Sequence, residues 1–99
     1  MLTEDYCDKD TAFALQELGY YPYMFYDDGT PAIHLWYAQK WLREEKHLHI
    51  EIRWFSNLWY EYEVNEAEGK ILAEGSAFKT YEEALSTAIY MATEHLKEE

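Results

Sequence analysis

The spacing of apolar residues changes from helical to strand-like near the middle of the chain. Over residues 48–55 and 58–64, apolar side chains return at every second position, which predicts two strands that each bury one face. Ser56-Asn57 is a candidate tight turn between them. A weaker strand is predicted over residues 70–78, with Gly75 as a candidate β-bulge. The side chains predicted to face inward from the first strand are Leu48, Ile50, Ile52 and Trp54.

A helix is predicted over residues 32–46, immediately before the strands. Thr30 is expected as its N-cap and Pro31 as its first residue, because proline is tolerated only at the start of a helix. Apolar side chains recur three and four positions apart, with Leu35, Ala38 and Leu42 at the centre of the stripe. The predicted apolar face consists of Ile33, Leu35, Tyr37, Ala38, Trp41 and Leu42.

A second helix closes the chain after the strands. Thr80 and Glu83 have the spacing of a capping box, in which the two side chains satisfy the first backbone N–H groups. Helical periodicity then continues almost to the end of the sequence. The residues predicted to face the core are Ala84, Leu85, Ala88, Ile89, Ala92 and Leu96.

A short helix is predicted near the beginning of the chain, over residues 11–18. Asp8 or Asp10 is the candidate N-cap, and Gly19 is placed to end the helix in a left-handed conformation. The apolar stripe of this helix contains Ala12, Phe13, Leu15 and Leu18.

These elements predict one α+β domain over residues 1–99, in the order α-α-β-β-β-α. Residues 1–29 supply the first helix and a Tyr-rich extended segment, and residues 30–99 form an α-β-β-β-α core. We expect a three-stranded antiparallel meander with the helices on one face. Double-stranded-RNA-binding domains share the α-β-β-β-α order of the core, and they bind phosphates with lysines at the start of their last helix. Residues 79–83 present two glutamates and one lysine there, so only the topology is similar.

Charge narrows the classes of partner. The chain has a net charge of −12, from 20 acidic and 8 basic residues, and the excess is spread along its length. Such a field repels phosphate backbones and anionic lipids, so we expect no direct binding to nucleic acid or membranes. The single cysteine, Cys7, excludes an internal disulfide and favours a reducing, cytoplasmic location. The sequence also lacks signal-peptide features at its start and any apolar run of transmembrane length.

Three stretches of the chain carry a family resemblance. They are residues 28–31 (DGTP), residues 40–46 (KWLREEK) leading into His49-Ile50, and residues 78–85 (FKTYEEAL) with Ala88-Ile89. Through them the chain resembles a group of small uncharacterised proteins encoded in gut Bacteroidales genomes and their phages or prophages. The shared motifs describe helix ends and core positions, and the group has no known catalytic motif. The resemblance therefore implies a mobile-element context and no reaction.

One pattern has the spacing of a metal site. His47, His49 and Glu51 occupy positions i, i+2 and i+4 of a predicted strand, so their side chains would point the same way and could converge on a divalent metal. The same pattern is typical of an exposed polar strand face, and we favour that interpretation and predict no cofactor. Cys7 lies among acidic residues such as Asp8, which raise a thiol pKa, so a nucleophile is not expected.

Two aromatic groups are candidate interaction surfaces. Arg53, Phe55 and Trp59 are predicted on the outer face of the sheet, and arginine and aromatic residues are enriched at protein–protein hot spots. Base stacking on this face is not expected, because no basic groove accompanies the rings.

The second group contains Tyr21 and Tyr23, within the Tyr-rich segment (residues 20–26). Pro22 cannot donate to a central ladder, so the segment is predicted to be extended or an edge strand. It would either pair with a partner or a second copy, or cover the core.

The sequence thus predicts a non-enzymatic accessory or protein-interaction domain, because aromatic patches are present and catalytic motifs are not. A protein partner and self-association are both compatible with it. One alternative is an acidic mimic of nucleic acid that inhibits a basic host enzyme or defence protein, which requires carboxylates spaced along one face like phosphates. Another is a small metal-binding protein that uses His47, His49 and Glu51.

Overall fold

The computed structural model describes residues 5–55 and 59–98 of the chain. Its elements follow the predicted order α-α-β-β-β-α and form an α+β meander, which confirms the fold class. The predicted turn at Ser56-Asn57 and Leu58, the first residue of the second predicted strand, lie outside the described residues. The helices are α1 (Lys9–Glu17), α2 (Leu35–Glu45) and α3 (Tyr81–Lys97), and the strands are β1 (Leu48–Phe55), β2 (Trp59–Glu66) and β3 (Ile71–Phe78).

The sheet is antiparallel with β2 in the centre. Between β2 and β3 the register shifts twice, and the first shift leaves Ser76 and Ala77 opposite Glu61. This is a β-bulge directly after Gly75, the position at which the sequence predicted one. The left-handed backbone of the bulge falls on Ala77, with φ of 72°, and not on the glycine.

Helices α2 and α3 pack on the sheet, and α1 packs on α3. Helix α3 contacts each of the three strands and also α2 and α1, while α2 lies along β1. The Gln39 side chain of α2 donates to the Ile50 carbonyl of β1 at 3.2 Å, which satisfies a backbone acceptor of this edge strand. The opposite face of the sheet carries the polar and aromatic side chains predicted for it. The largest fully buried side chains include Leu15, Ile33, Leu42, Val64 and Ile89.

Helix α3 begins as its capping box predicts. The Thr80 hydroxyl accepts from the Glu83 N–H at 3.0 Å, and the Glu83 carboxylate accepts from the Lys79 N–H at 3.3 Å. The reciprocal bond therefore reaches one residue further back than in the standard motif. Along the helix, the buried residues are Ala84, Leu85, Ala88, Ile89, Ala92 and Thr93, with Leu96 packed against the core.

Helix α1 is capped at both ends by the predicted devices. The Asp8 carboxylate accepts from the Thr11 N–H at 2.9 Å. At the other end, the Gly19 N–H bonds to Gln16 and the Tyr20 N–H bonds to Leu15, which is the Schellman arrangement. Gly19 has φ of 111°, a conformation that a residue with a Cβ rarely adopts.

The predicted start of α2 is wrong. Its N-cap is His34, whose Nδ1 accepts from the Trp36 N–H at 3.1 Å, and the helix begins at Leu35. Pro31 instead bridges to Phe25 across a turn that Gly29 closes. The Ile33 carbonyl accepts from the Cys7 N–H at 2.8 Å, so long-range pairing holds this stretch extended.

Three predicted core positions are exposed. Trp54 is 61% exposed, and its cross-strand neighbour Tyr60 is only half-buried, so the core stops short of this end of the sheet. Tyr37 lies outside the narrow buried stripe of α2 that Leu35, Ala38 and Leu42 form. On α1, Phe13 is also exposed.

Gly75 is required by close packing. Its own φ is not in the left-handed region, but a Cβ built on it would lie 2.6 Å from Cε2 of Tyr62. Tyr62 is buried in the core and faces Gly75 across the β2–β3 ladder. The strand therefore lacks a side chain at the point where the tyrosine ring covers it.

We expect Gly75→Ala to lower the free energy of unfolding by about 1–3 kcal/mol, because the added methyl group displaces the buried Tyr62 ring. Urea unfolding followed by circular dichroism measures the change. The neighbouring, exposed Ser76→Ala is the control and should alter stability by less than about 0.5 kcal/mol. Equal stability of Gly75→Ala and the wild type would show that the ring moves without cost.

Candidate interaction surfaces

Arg53 holds three glutamates together on the outer face of the sheet. Its guanidinium lies 3.0 Å from the Glu61 carboxylate, 2.7 Å from that of Glu63 and 3.4 Å from that of Glu51. The β1–β2 register makes this possible, because it places Arg53 opposite Glu61 and Glu51 opposite Glu63. The hydrogen bond from Arg53 lowers the pKa of Glu63, and its carboxylate partners raise the pKa of Arg53. The guanidinium is thus already paired within the chain.

Phe55 and Trp59 lie on the same outer face, as predicted. Their ring centroids are 5.5 Å apart and the rings are nearly parallel, at 15°. The two residues face each other at the end of the ladder between β1 and β2. One ring face of each residue is therefore covered by the other residue, although Phe55 stays half-exposed.

The structure does not bring the metal candidates together. His47 precedes β1 and has a left-handed backbone, with φ of 57°, so it does not continue the strand face of His49 and Glu51. The Glu51 carboxylate is directed to Arg53. Across residues 5–55 and 59–98, no three histidine, cysteine, aspartate or glutamate side chains are grouped closely enough to hold a metal ion.

The Tyr-rich segment is anchored at its ends and exposed in the middle. The rings of Tyr20 and Trp41 pack edge to face with their centroids 5.6 Å apart, and the rings of Tyr26 and Tyr6 do so with their centroids 6.5 Å apart. Between these anchors, Tyr21 is 87% exposed and Tyr23 is 96% exposed. Tyr20 thus covers part of the core, while the middle of the segment presents aromatic rings to solvent.

A second group of exposed aromatic residues lies on α2 and was not predicted as an interaction site. Trp36 and Tyr37 are both about half-exposed, and the centroids of their rings lie 5.0 Å apart. Tyr20, which precedes Tyr21 in the chain, lines one cleft together with Tyr37, so the two groups adjoin there. Adjacent positions of a helix point in different directions. When both carry aromatic residues on an amphipathic helix, at least one ring therefore lies outside the buried stripe, and this pattern in the sequence indicates an exposed aromatic surface. We name Tyr21, Tyr23, Met24, Phe25, Trp36 and Tyr37 the aromatic surface.

A cleft of about 630 Å³ separates the N-terminal segment from the start of α3. Its lining includes Cys7, Tyr26, Ser86 and Thr87. Burial, together with the Asp8 carboxylate, raises the pKa of the Cys7 thiol to about 12. The Thr87 hydroxyl donates to the Glu83 carbonyl within its own helix. The Cys7 thiol is therefore protonated and the Thr87 hydroxyl is already paired, which does not favour nucleophilic chemistry by either group.

Comparison with known proteins adds no assignment. No protein-family model, curated protein or solved structure matches the chain. Within the described part of the chain, none of the helices has both the length and the apolar character needed to span a membrane.

The pKa of Cys7 predicts a protected thiol. At pH 8 its thiolate fraction is roughly a thousandfold below that of an ordinary cysteine, and the side chain is also buried. We expect the native protein to react with Ellman's reagent only as fast as it unfolds, whereas the urea-unfolded chain reacts at once. Rapid labelling of the native protein would mean that residues 5–8 open locally.

The pairing of Arg53 predicts a pH-dependent contribution to stability. The lowered pKa of Glu63 means that its pairing stabilises the fold above the unfolded-state pKa and is lost as pH falls through the folded-state pKa. We expect Arg53→Met to raise the pKa of Glu63, measured by NMR titration, and to lower stability at neutral pH.

The difference in stability between Arg53→Met and the wild type should disappear in acid, where the glutamates are protonated. Urea unfolding at neutral and acidic pH compares the two proteins. Arg43→Met, at an exposed position near the end of α2, is the control and should leave the pKa of Glu63 unchanged. A stability difference that persisted in acid would assign the effect of Arg53 to packing.

Proposed function

We propose that this chain is a non-enzymatic protein-interaction domain that binds a protein partner through the aromatic surface. The supporting observation is the exposure of Tyr21 and Tyr23, whose rings are almost wholly in solvent. Contiguous exposed apolar patches on small proteins commonly mark interaction sites. Tyrosine and tryptophan are the residues that most often dominate the energy of such contacts.

The anchoring of the Tyr-rich segment supports this role. Packing of Tyr20 on Trp41 and of Tyr26 on Tyr6 restrains the segment at both ends. The Tyr26 N–H also bonds to the Thr30 carbonyl at 2.8 Å, which fixes the turn that follows. Less conformational entropy is then lost when a partner binds, so more of the contact energy appears as affinity.

The outer face of the sheet is a weaker candidate for the same contact. Arg53 is engaged by three glutamates, and Phe55 is stacked on Trp59. A partner would have to compete with these contacts before it gained new ones. We therefore assign binding to the helical side of the domain, at Tyr21 and Tyr23.

The distribution of charge favours the interaction domain over a mimic of nucleic acid. A mimic needs its carboxylates aligned on one face, but acidic residues occur on every helix and on the sheet. On the sheet, Arg53 draws three of them together and partly neutralises them. The dispersed acidic residues include Asp10, Glu17, Glu44, Glu45, Glu63, Glu74 and Glu94. We also propose a cytoplasmic location, on the single cysteine, and a phage or mobile-element origin, on the resemblance described above.

The test is affinity capture from a nuclease-treated lysate of the native host, with the tagged wild type and a Tyr21→Ser, Tyr23→Ser variant as bait. Both tyrosines are exposed, so the variant should fold like the wild type. We expect it to recover the partner at least about tenfold less well, because hot-spot aromatics are lost. Phe55→Ser, a half-exposed aromatic change on the outer sheet face, is the matched control and should retain the partner.

Salt and mass measurements separate the alternatives. A partner held by aromatic contacts should remain bound at high salt, whereas a basic nucleic-acid-binding partner released by salt would favour the mimic. Light scattering of the purified protein detects self-association, which the tyrosine variant should abolish if a second copy is the partner. Equal recovery by the wild type and the tyrosine variant would remove the aromatic surface from the function.

A further inference from the structure

A small cleft lies beside the aromatic surface, between the Tyr-rich segment and α2. It has a volume of about 190 Å³, and its lining combines aromatic rings with charged side chains. Tyr20 and Trp41 form two of its walls at nearly a right angle, with an interplanar angle of 79°. The lining residues are Tyr20, Tyr37, Lys40, Trp41, Glu44 and Glu45.

The electrostatics of the cleft favour a cation. Glu44 and Glu45 occupy the last turn of α2, where the unsatisfied carbonyls of the helix add negative potential. Two carboxylates therefore face one ammonium, that of Lys40. The rings contribute the negative faces of their π systems, which attract cations. Burial and neighbouring Tyr23 and Tyr37 raise the pKa of Tyr20, so its phenol stays neutral.

Two lysines of the chain show how the rings of α2 receive cations. The Lys46 ammonium lies 5.4 Å from the centre of the Trp41 ring, and the Lys40 ammonium lies 5.7 Å from that of Trp36. Lys46 is not among the residues that line the cleft, and Lys40 extends towards Trp36. Trp41 nevertheless lines the cleft, so part of its ring surface is open to a cation from outside.

We propose that this cleft receives an arginine side chain of the protein partner. A guanidinium is planar and stacks on an indole or phenol ring, and it can pair with a carboxylate through two parallel hydrogen bonds. Both kinds of group line the cleft, at Trp41 and at Glu44 and Glu45. The inference rests on the proposed function, since the arginine belongs to the partner that the aromatic surface binds, and it adds the chemistry of one contact.

The test uses a probe that does not require the partner. N-acetyl-arginine amide is titrated into the isotope-labelled protein, and the Trp41 indole N–H is followed by NMR. N-acetyl-citrulline amide, which has the same shape without the charge, is the matched ligand. We expect the arginine probe to shift the Trp41 signal in a saturable way and the citrulline probe to leave it unchanged. The exposed indole of Trp54, on β1, reports any non-specific effect and should not move.

Variants assign the binding to the cleft. Glu44→Gln combined with Glu45→Gln should weaken binding of the arginine probe about fivefold or more, because the charge-assisted hydrogen bonds from the guanidinium to the two carboxylates are lost. Lys46→Met should tighten it roughly two- to fivefold, since a like charge beside the Trp41 ring is removed. All three positions are on the surface of the helix end, so the variants should keep the fold.

The outcomes distinguish this inference from the proposed function. Equal shifts with arginine and citrulline, or affinity unchanged in the double glutamine variant, would overturn the arginine site while leaving capture by the aromatic surface intact. Saturable arginine binding that is lost in the double variant would establish the site even if no partner depends on Tyr21 and Tyr23. A simultaneous shift of the Trp54 signal would show that the arginine effect is non-specific and would also overturn the site.

Discussion

Every other element of this domain packs against α3. The helix contacts all three strands and both other helices, so it forms most of the contact between the sheet and the helices. Its buried side chains include three alanines, Ala84, Ala88 and Ala92, spaced one turn apart. Small residues on this stripe let neighbouring elements approach closely, while Leu85 and Ile89 fill the space on either side. The fold therefore depends on the amphipathic pattern of one helix.

A core of this kind leaves little room for large rings. The chain has ten tyrosines and four tryptophans, yet among the described residues Tyr62 is the one aromatic side chain in the buried core. Its burial is possible because Gly75 has no side chain beneath the ring. The remaining rings lie at the edges of the core or in solvent. The rings of the aromatic surface are thus not needed to fill the core, and this is the ground for proposing that they bind a partner.

Local periodicity predicted most of the fold because β1, β2, α1 and α3 are shaped by local pattern and capping. The start of α2 could not be predicted in this way, since the backbone of residues 24–34 is held by distant pairing such as that of Ile33 with Cys7. The left-handed backbone of His47 likewise removed it from the strand face. For the candidate surfaces, strand alternation correctly placed Arg53 on the outer face of the sheet, whereas the degree of exposure of Tyr21 required the full structure.

The two faces of the domain differ in how far their charged and aromatic side chains are already paired within the chain. On the outer sheet face, charges and rings satisfy one another, at Arg53 and at the Phe55–Trp59 stack. On the helical side, rings remain in solvent beside carboxylates such as Glu44. The overall negative charge acts over long range and speeds encounter with any basic protein, wherever it approaches. How long a complex lasts then depends on short-range contacts from which water is excluded. Under the proposed function, charge therefore selects the class of partner, and the aromatic surface selects where on the domain that partner stays.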